Sequence, residues 1–288
     1  MTAEKLGEML FFDPILSENQ TISCASCHKP EFAFADTVAF STGVHGRLGK
    51  RNTPSAMNMS SREVFFWDGR AATLEEQALF PIADPNEMNL PVPVALERLN
   101  KSTKYRMLFY EVFKQLPDSN NLGAALAAFE RTLETASTPN DRWLQDEPGG
   151  LTEQQIRGRV VFREKGKCFD CHFTPDFTGD EFRSIGLFDG DKHNDSGRYN
   201  VTKNPADLGK FKVPGLRNVA VTAPYMHDGS MRTLREVIDY YNNPHAILPG
   251  GINRDTLLQQ PLGLTEQEKQ DLEAFLHSLT DDRFVKRQ

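Results

Sequence analysis

Four cysteines and the two histidines that follow them carry the most specific chemistry in this 288-residue sequence. They form one pentapeptide twice: Cys24-Ala25-Ser26-Cys27-His28 and Cys168-Phe169-Asp170-Cys171-His172. In the spacing C-x-x-C-H, two thiols add to the two vinyl groups of one haem and the adjacent His reaches the iron from the proximal side. A lone C-x-x-C reads equally as half a zinc site or a redox dithiol. Here the His follows at once both times, and no further cysteine exists to complete a zinc site or to form a disulfide. The spacing predicts two covalent haem c groups, attached through Cys24, Cys27, Cys168 and Cys171, with His28 and His172 on the irons.

Helical segments must position these motifs. Leu6, Met9, Leu10 and Phe11 share one face between Ala3 and Phe12, and Asp13-Pro14 stops that helix. Thr73-Leu-Glu-Glu76, Thr152-Glu-Gln-Gln155, Thr233-Leu-Arg-Glu236 and Thr265-Glu-Gln-Glu268 each read as a capping box opening a helix. The first should run to about Phe80, just before Pro81. Helices are also expected around 93–101, 104–116 and 121–135. Residues 36–62 and 176–212 are rich in turn formers and read as loops. No segment reads as a convincing strand, so the expected class is all-α. Pro148-Gly149-Gly150 suggests a boundary between residues 1–145 and 146–288.

The two halves repeat each other. Trp67-Asp68-Gly69-Arg70-x-x-Thr73-Leu74-x-Glu76 aligns with His227-Asp228-Gly229-Ser230-x-x-Thr233-Leu234-x-Glu236 at a constant shift of 160. Gly7-x-x-Leu-Phe echoes Gly158-x-x-Val-Phe, and Arg51-Asn52 echoes Arg217-Asn218. Two tandem cytochrome c-like domains, one haem each, account for the pattern.

Bulk properties are permissive. Hydrophobic residues make up 39% and charged residues 25%, as in ordinary soluble chains. A net charge of −7 argues against a nucleic-acid partner. No apolar run is long enough to span a membrane.

The same shift of 160 carries Pro81 onto Tyr241. Tyr offers an oxygen that binds ferric iron, whereas Pro offers no ligand. One iron would then be closed and the other open to a small molecule. Tyr241 also reads as a core aromatic on an amphipathic helix, and Met226, Met231, His227 and His245 are rival sixth ligands for the second haem.

Larger motifs resemble the bacterial di-haem cytochrome c peroxidase and MauG superfamily over nearly the whole length. They are Leu10-Phe11-Phe12-Asp13, Ser23 to His28, Gly49-Lys50-Arg51-Asn52-Thr53-Pro54-Ser55 and Phe66-Trp67-Asp68-Gly69-Arg70. They continue through Gln77, Pro85-Asn86-Glu87-Met88, Leu216-Arg217-Asn218 and Thr222-Ala223-Pro224-Tyr225-Met226-His227-Asp228-Gly229. The resemblance implies a peroxidatic first haem and an electron-relay second haem. It implies that Trp67 passes electrons between them, that Glu87 is the distal acid–base, and that Gln77 and Pro81 line the same pocket. It implies a calcium ion held by Asn52, Thr222 and Pro224. Tyr241, where conventional members carry Met, favours the MauG-like branch. His45 resembles a removable distal ligand of the conventional enzymes, but an exposed loop histidine is the favoured reading.

The implied activity is H2O2-dependent oxidation of a Trp or Tyr side chain of a protein partner through high-valent haem iron. The alternative is a peroxidase that reduces H2O2 to water with electrons from a small cytochrome c or cupredoxin. The resemblance also implies a periplasmic location, with any leader already removed, and a monomer or homodimer.

Overall fold

A computed structural model describes residues 1–285. They form two compact units, one of Met1–Phe65 with Ala71–Glu134 and one of Phe66–Arg70 with the chain from Thr135 onward. The crossing at 134/135 comes ahead of the break suggested by the Pro-Gly-Gly cluster. Pro139–Leu144 is itself a helix, with Pro in its first turn and the Thr138 hydroxyl capping it. Proline suits that position because its missing N–H is not needed there.

In the first unit the Ala3–Phe12 helix packs on the Ser119–Glu130 helix. Leu6, Leu10 and Phe11 face Leu122, Leu126 and Phe129, all buried. The contact is close because residue 7 has no side chain: a Cβ there would lie 1.8 Å from the Ala125 carbonyl oxygen. The second unit repeats this device. The Glu153–Arg163 helix packs on Glu266–His277, and a Cβ on Gly158 would lie 1.8 Å from the Asp271 carbonyl oxygen. An aromatic triad sits beneath each crossing. Phe11, Phe34 and Phe129 have ring centroids 5.1–6.5 Å apart, and Phe162, Phe177 and Phe275 have them 5.2–6.2 Å apart. Burying one such ring contributes about 1.5–3 kcal/mol.

The repeat at a shift of 160 is also structural. Phe65 bridges Ala71 as Tyr225 bridges Met231. Phe66 and Met226 both take left-handed φ, at 68° and 73°. The hydroxyls of Thr73 and Thr233 cap helices by accepting from the N–H of Glu76 and Glu236. The echo of Arg51-Asn52 in Arg217-Asn218 is replaced by another pairing. Asn58 corresponds to Asn218, because both are left-handed and both donate their backbone N–H to a leucine carbonyl, Leu133 and Leu279, at 2.8 Å. A two-residue identity was weaker guidance than the turn that an asparagine tolerates at positive φ.

Three expected elements differ. The all-α reading misses one antiparallel pair, Phe182–Arg183 with Phe211–Lys212, inside the loop after the second motif. That loop also carries the Tyr199–Thr202 turn of helix. The helix opened by Thr73 ends at Gln77, and a separate turn, Phe80–Ala83, holds Pro81 in its first turn. Its counterpart, Leu234–Asn242, runs unbroken. Proline cannot continue a helix that needs its N–H. The helix read to residue 135 ends at Glu130.

Candidate haem-binding sites

The first motif is a single helical turn, Cys24–Cys27, with Ser23 and Ser26 capping each other. The turn brings the two thiols onto one side and leaves His28 at its C-terminal end. His28 Nδ1 donates to the Phe34 carbonyl at 3.0 Å. Burial pulls the ring's pKa down, against the carbonyls of Phe34 and Pro54, so the imidazole is neutral. With Nδ1 as the donor, Nε2 keeps its lone pair for a metal. Phe34 can present that carbonyl because it adopts a left-handed φ of 56°.

The second motif repeats the arrangement. Cys168–Asp170 is a 3-10 turn, and His172 Nδ1 donates to the Phe177 carbonyl at 2.9 Å. Burial again lowers the ring's pKa, here against the carbonyls of Phe177 and Pro214. Phe177 has a φ of 57°. All four cysteines are free thiols, and burial pushes each above its ordinary pKa, Cys27 to about 11 and Cys168 to about 12. Two neutral thiols beside an imidazole with its outer nitrogen fixed and its inner nitrogen bare are the donor set that haem c requires at each motif.

Around the first motif, the charges of Glu87 and Glu130 both reach the Cys24 thiol and raise its pKa further. Glu87 also acts on Cys27. Glu87 sits in a tight turn, its N–H donating to the Asp84 carbonyl at 3.1 Å and its carbonyl accepting from Val44 N–H at 2.8 Å. The loop carrying Val44 approaches closely only because residue 43 is glycine, where a Cβ would lie 2.1 Å from the Asn86 carbonyl oxygen. Pro81 is tied to the same turn, its carbonyl accepting from Met88 N–H at 3.1 Å. Gln77 closes the preceding helical turn and is half-buried. His45 is half-exposed, with Nε2 2.8 Å from Glu18 Oε2.

Two acidic residues near this motif escaped the sequence reading. Asp36 is buried, paired with Lys29 at 2.7 Å, and accepts from the Ser41 hydroxyl and the Thr37 N–H. Burial pushes its pKa up, but those three partners outweigh it and keep the group ionised near His28. Glu130 closes an otherwise apolar helix, and burial pushes its pKa up to about 8. The signal was available for Glu130: a single charge ending the run from Leu122 to Phe129.

Around the second motif, Tyr241 lies on the helix capped by Thr233. Burial pushes its phenol above the ordinary value, and Tyr240 and the thiols of Cys168 and Cys171 add to the effect. The structure thus gathers Tyr241 with both cysteines of this motif. Tyr240 is fully buried and donates to the Ile185 carbonyl at 2.7 Å. Among the rival ligands, Met231 packs with Leu187 and Tyr240, and Met226 packs against that cluster. His227 is buried and stacks on Phe211 at 3.7 Å. His245 Nδ1 is 2.8 Å from Arg254 Nη1. Trp67 is half-buried in the second unit, its carbonyl accepting from Lys212 N–H at 2.7 Å.

Of the three residues matched to calcium, Asn52 lies in the first unit, and Thr222 and Pro224 lie in the second. Asn52 is buried and its amide nitrogen donates to the Val38 carbonyl at 3.1 Å. The Thr222 hydroxyl donates to the Val219 carbonyl.

Comparison with known proteins defines the class. The family model described as di-haem cytochrome c peroxidase matches residues 2–149. The chain is 37% identical over 287 residues to the methylamine utilization protein MauG of Methylorubrum extorquens, covering 97% of this chain and 79% of that protein. It is 35% identical over 282 residues to the cytochrome c551 peroxidase of Nitrosomonas europaea, covering 97% and 80%. A crystal structure of a MauG-like protein associated with microbial copper homeostasis superposes with a TM-score of 0.87 at 35% identity, covering 98% of this chain and 92% of that one. The chain belongs to the di-haem cytochrome c peroxidase family. It is a peroxidase-type oxidoreductase, and the family implies two haem c groups.

Proposed function

We propose that this enzyme is an H2O2-driven di-haem oxidase of the MauG-like kind, oxidising a Trp or Tyr side chain of a protein partner. The observation that carries the reading is Tyr241, half-buried on its helix with its phenol within electrostatic reach of Cys168 and Cys171, where the repeat sets Pro81 in the first unit. When bound, haem c would supply an iron that accepts an oxygen donor and exchanges electrons. Tyr241 holds a phenol oxygen toward the second centre, and a ferric ion would lower its pKa and favour the phenolate. An anionic oxygen donor lowers the iron's potential, which suits storing oxidising equivalents better than simple electron entry. Pro81 contributes no donor and leaves the first centre open to peroxide.

Glu87 moves the proton. Its carboxylate takes one from the near oxygen of H2O2 and returns it to the departing oxygen, which is general acid–base work. Gln77 supplies a neutral hydrogen bond in the same pocket, and Trp67 passes electrons. The location is periplasmic, in keeping with thiol-attached haem. No helix among the described residues is long and apolar enough to cross a membrane.

The ferric EPR spectrum of the isolated protein tests the reading. One high-spin and one low-spin haem, and a long-lived oxidised state on adding H2O2 without reductant, are expected. Two low-spin haems that react only after half-reduction would replace this reading with the conventional peroxidase and make His45 a ligand.

A further inference from the structure

One helix face of the second unit carries arginines that have no ion pair among the described residues. Arg159 and Arg163 stand four residues apart on the Glu153–Arg163 helix, so their side chains share a face. The Arg159 guanidinium lies over the Trp143 ring, 4.7 Å from its centroid. The Arg163 guanidinium lies 5.5 Å from the centroid of Phe169, inside the second haem motif. Arg157 is paired with Asp271 and Lys165 with Glu268, but among the described residues Arg159, Arg163 and Lys167 have no ion pair. Burial lowers the Arg159 pKa, and the like charge of Arg163 lowers it further. Trp143 and Phe169 pack against the same hydrophobic core. Val160, beside Arg159, is 48% exposed. Interfaces favour this composition of aromatic and arginine anchors with apolar surroundings.

We infer that Trp143, Phe169, Arg159, Arg163 and Lys167 form the docking surface for an acidic protein partner, beside the second haem motif. Charge complementarity selects that partner. The chain as a whole carries −7, so long-range charge opposes acidic proteins and a local cationic patch is what would draw one in. Two like charges held four residues apart disfavour each other until a carboxylate-bearing surface neutralises both. The aromatic rings beneath them place the partner's oxidisable side chain against the covering of the second centre. The inference rests on the reading that the enzyme oxidises a protein. Two partner side chains each give up one electron and one proton, which together reduce one H2O2 to two waters, and two tyrosyl radicals so formed couple through a carbon–carbon bond.

Two short peptides test the surface, Glu-Glu-Tyr-Glu-Glu and Lys-Lys-Tyr-Lys-Lys, each oxidised by the holoenzyme with H2O2 and followed by dityrosine fluorescence. The expected rate ratio is at least tenfold in favour of the acidic peptide at low ionic strength, falling toward unity in high salt. In Arg159→Glu/Arg163→Glu the ratio should invert, and in Arg159→Gln/Arg163→Gln it should fall to an intermediate value. A misfolded fraction would lower both rates together and leave the ratio unchanged, so the ratio reports the surface alone. Equal rates for both peptides, or a ratio unmoved by both variants, would overturn the docking surface. Turnover of hydroquinone with neither peptide oxidised would overturn the protein-oxidation reading and the surface with it.

Discussion

The Tyr241 phenol lies within electrostatic reach of the Cys168 thiol, so the Leu234–Asn242 helix brings one oxygen-bearing side chain toward the second motif. Tyr241→Phe removes the oxygen and keeps the ring. The expected result is loss of the second haem's low-spin ferric signal, with the first haem's signal unchanged, read by EPR on the isolated holoprotein. An unaltered spectrum would remove Tyr241 as a ligand and leave it a core aromatic.

The crossing of the Glu153–Arg163 and Glu266–His277 helices depends on one missing methyl. At Gly158 a Cβ would meet the Asp271 carbonyl oxygen at 1.8 Å and the Phe275 Cβ at 2.8 Å, both on a packed helix that cannot yield cheaply. Gly158→Ala should destabilise the protein by about 1–3 kcal/mol, the usual range for overpacking. Urea denaturation of the holoprotein checks this. A midpoint equal to that of the unmodified chain would mean the helices separate freely.

These devices differ in how far the sequence exposed them. The capping boxes at Thr152, Thr233 and Thr265 were legible because a cap is local: one hydroxyl, three residues and one N–H. At Thr73 only the hydroxyl half forms, and the Glu76 carboxylate accepts from the Ala72 N–H instead. The two His–carbonyl contacts were not, because they depend on the left-handed backbone of Phe34 and Phe177, which no side-chain pattern announces. Membership of Phe66–Arg70 in the second unit was likewise hidden. It rests on the Lys212 N–H and the Arg198 guanidinium, each more than 100 residues away. The break suggested at Pro148-Gly149-Gly150 passed over the helix that Pro139 opens just before it, since proline serves both to end helices and to begin them.

Burial holds the Glu130 carboxyl at a pKa of about 8, above its ordinary 4.5. The folded chain therefore keeps this proton while the unfolded chain releases it. The contribution to stability is full below about pH 4.5 and is lost as pH rises toward 8. Glu130→Gln stays neutral throughout. It should match the unmodified protein near pH 4.5 and exceed it by about 2–4 kcal/mol near pH 8. Urea titrations at the two pH values read the difference. A pH-independent difference would show that Glu130 is ionised in the fold.

Glu87 is held by its backbone on both sides, at the Asp84 carbonyl and the Val44 N–H, and its charge is felt at Cys24 and Cys27. A backbone fixed in this way limits where the side chain can go, which under the proposed function favours one position for the acid–base. Glu87→Gln keeps the shape and the hydrogen-bonding capacity but cannot carry the proton from one peroxide oxygen to the other. The second-order rate with H2O2, measured by stopped flow, should fall by about 10²–10⁴-fold, while the ferric spectra of both haems stay as they were. Because the loss is of proton transfer and not of binding, an added small acid–base such as acetate should restore part of the rate. An unimpaired rate in Glu87→Gln would assign the proton to another group, and Glu130, whose charge also reaches Cys24, would be the first to replace.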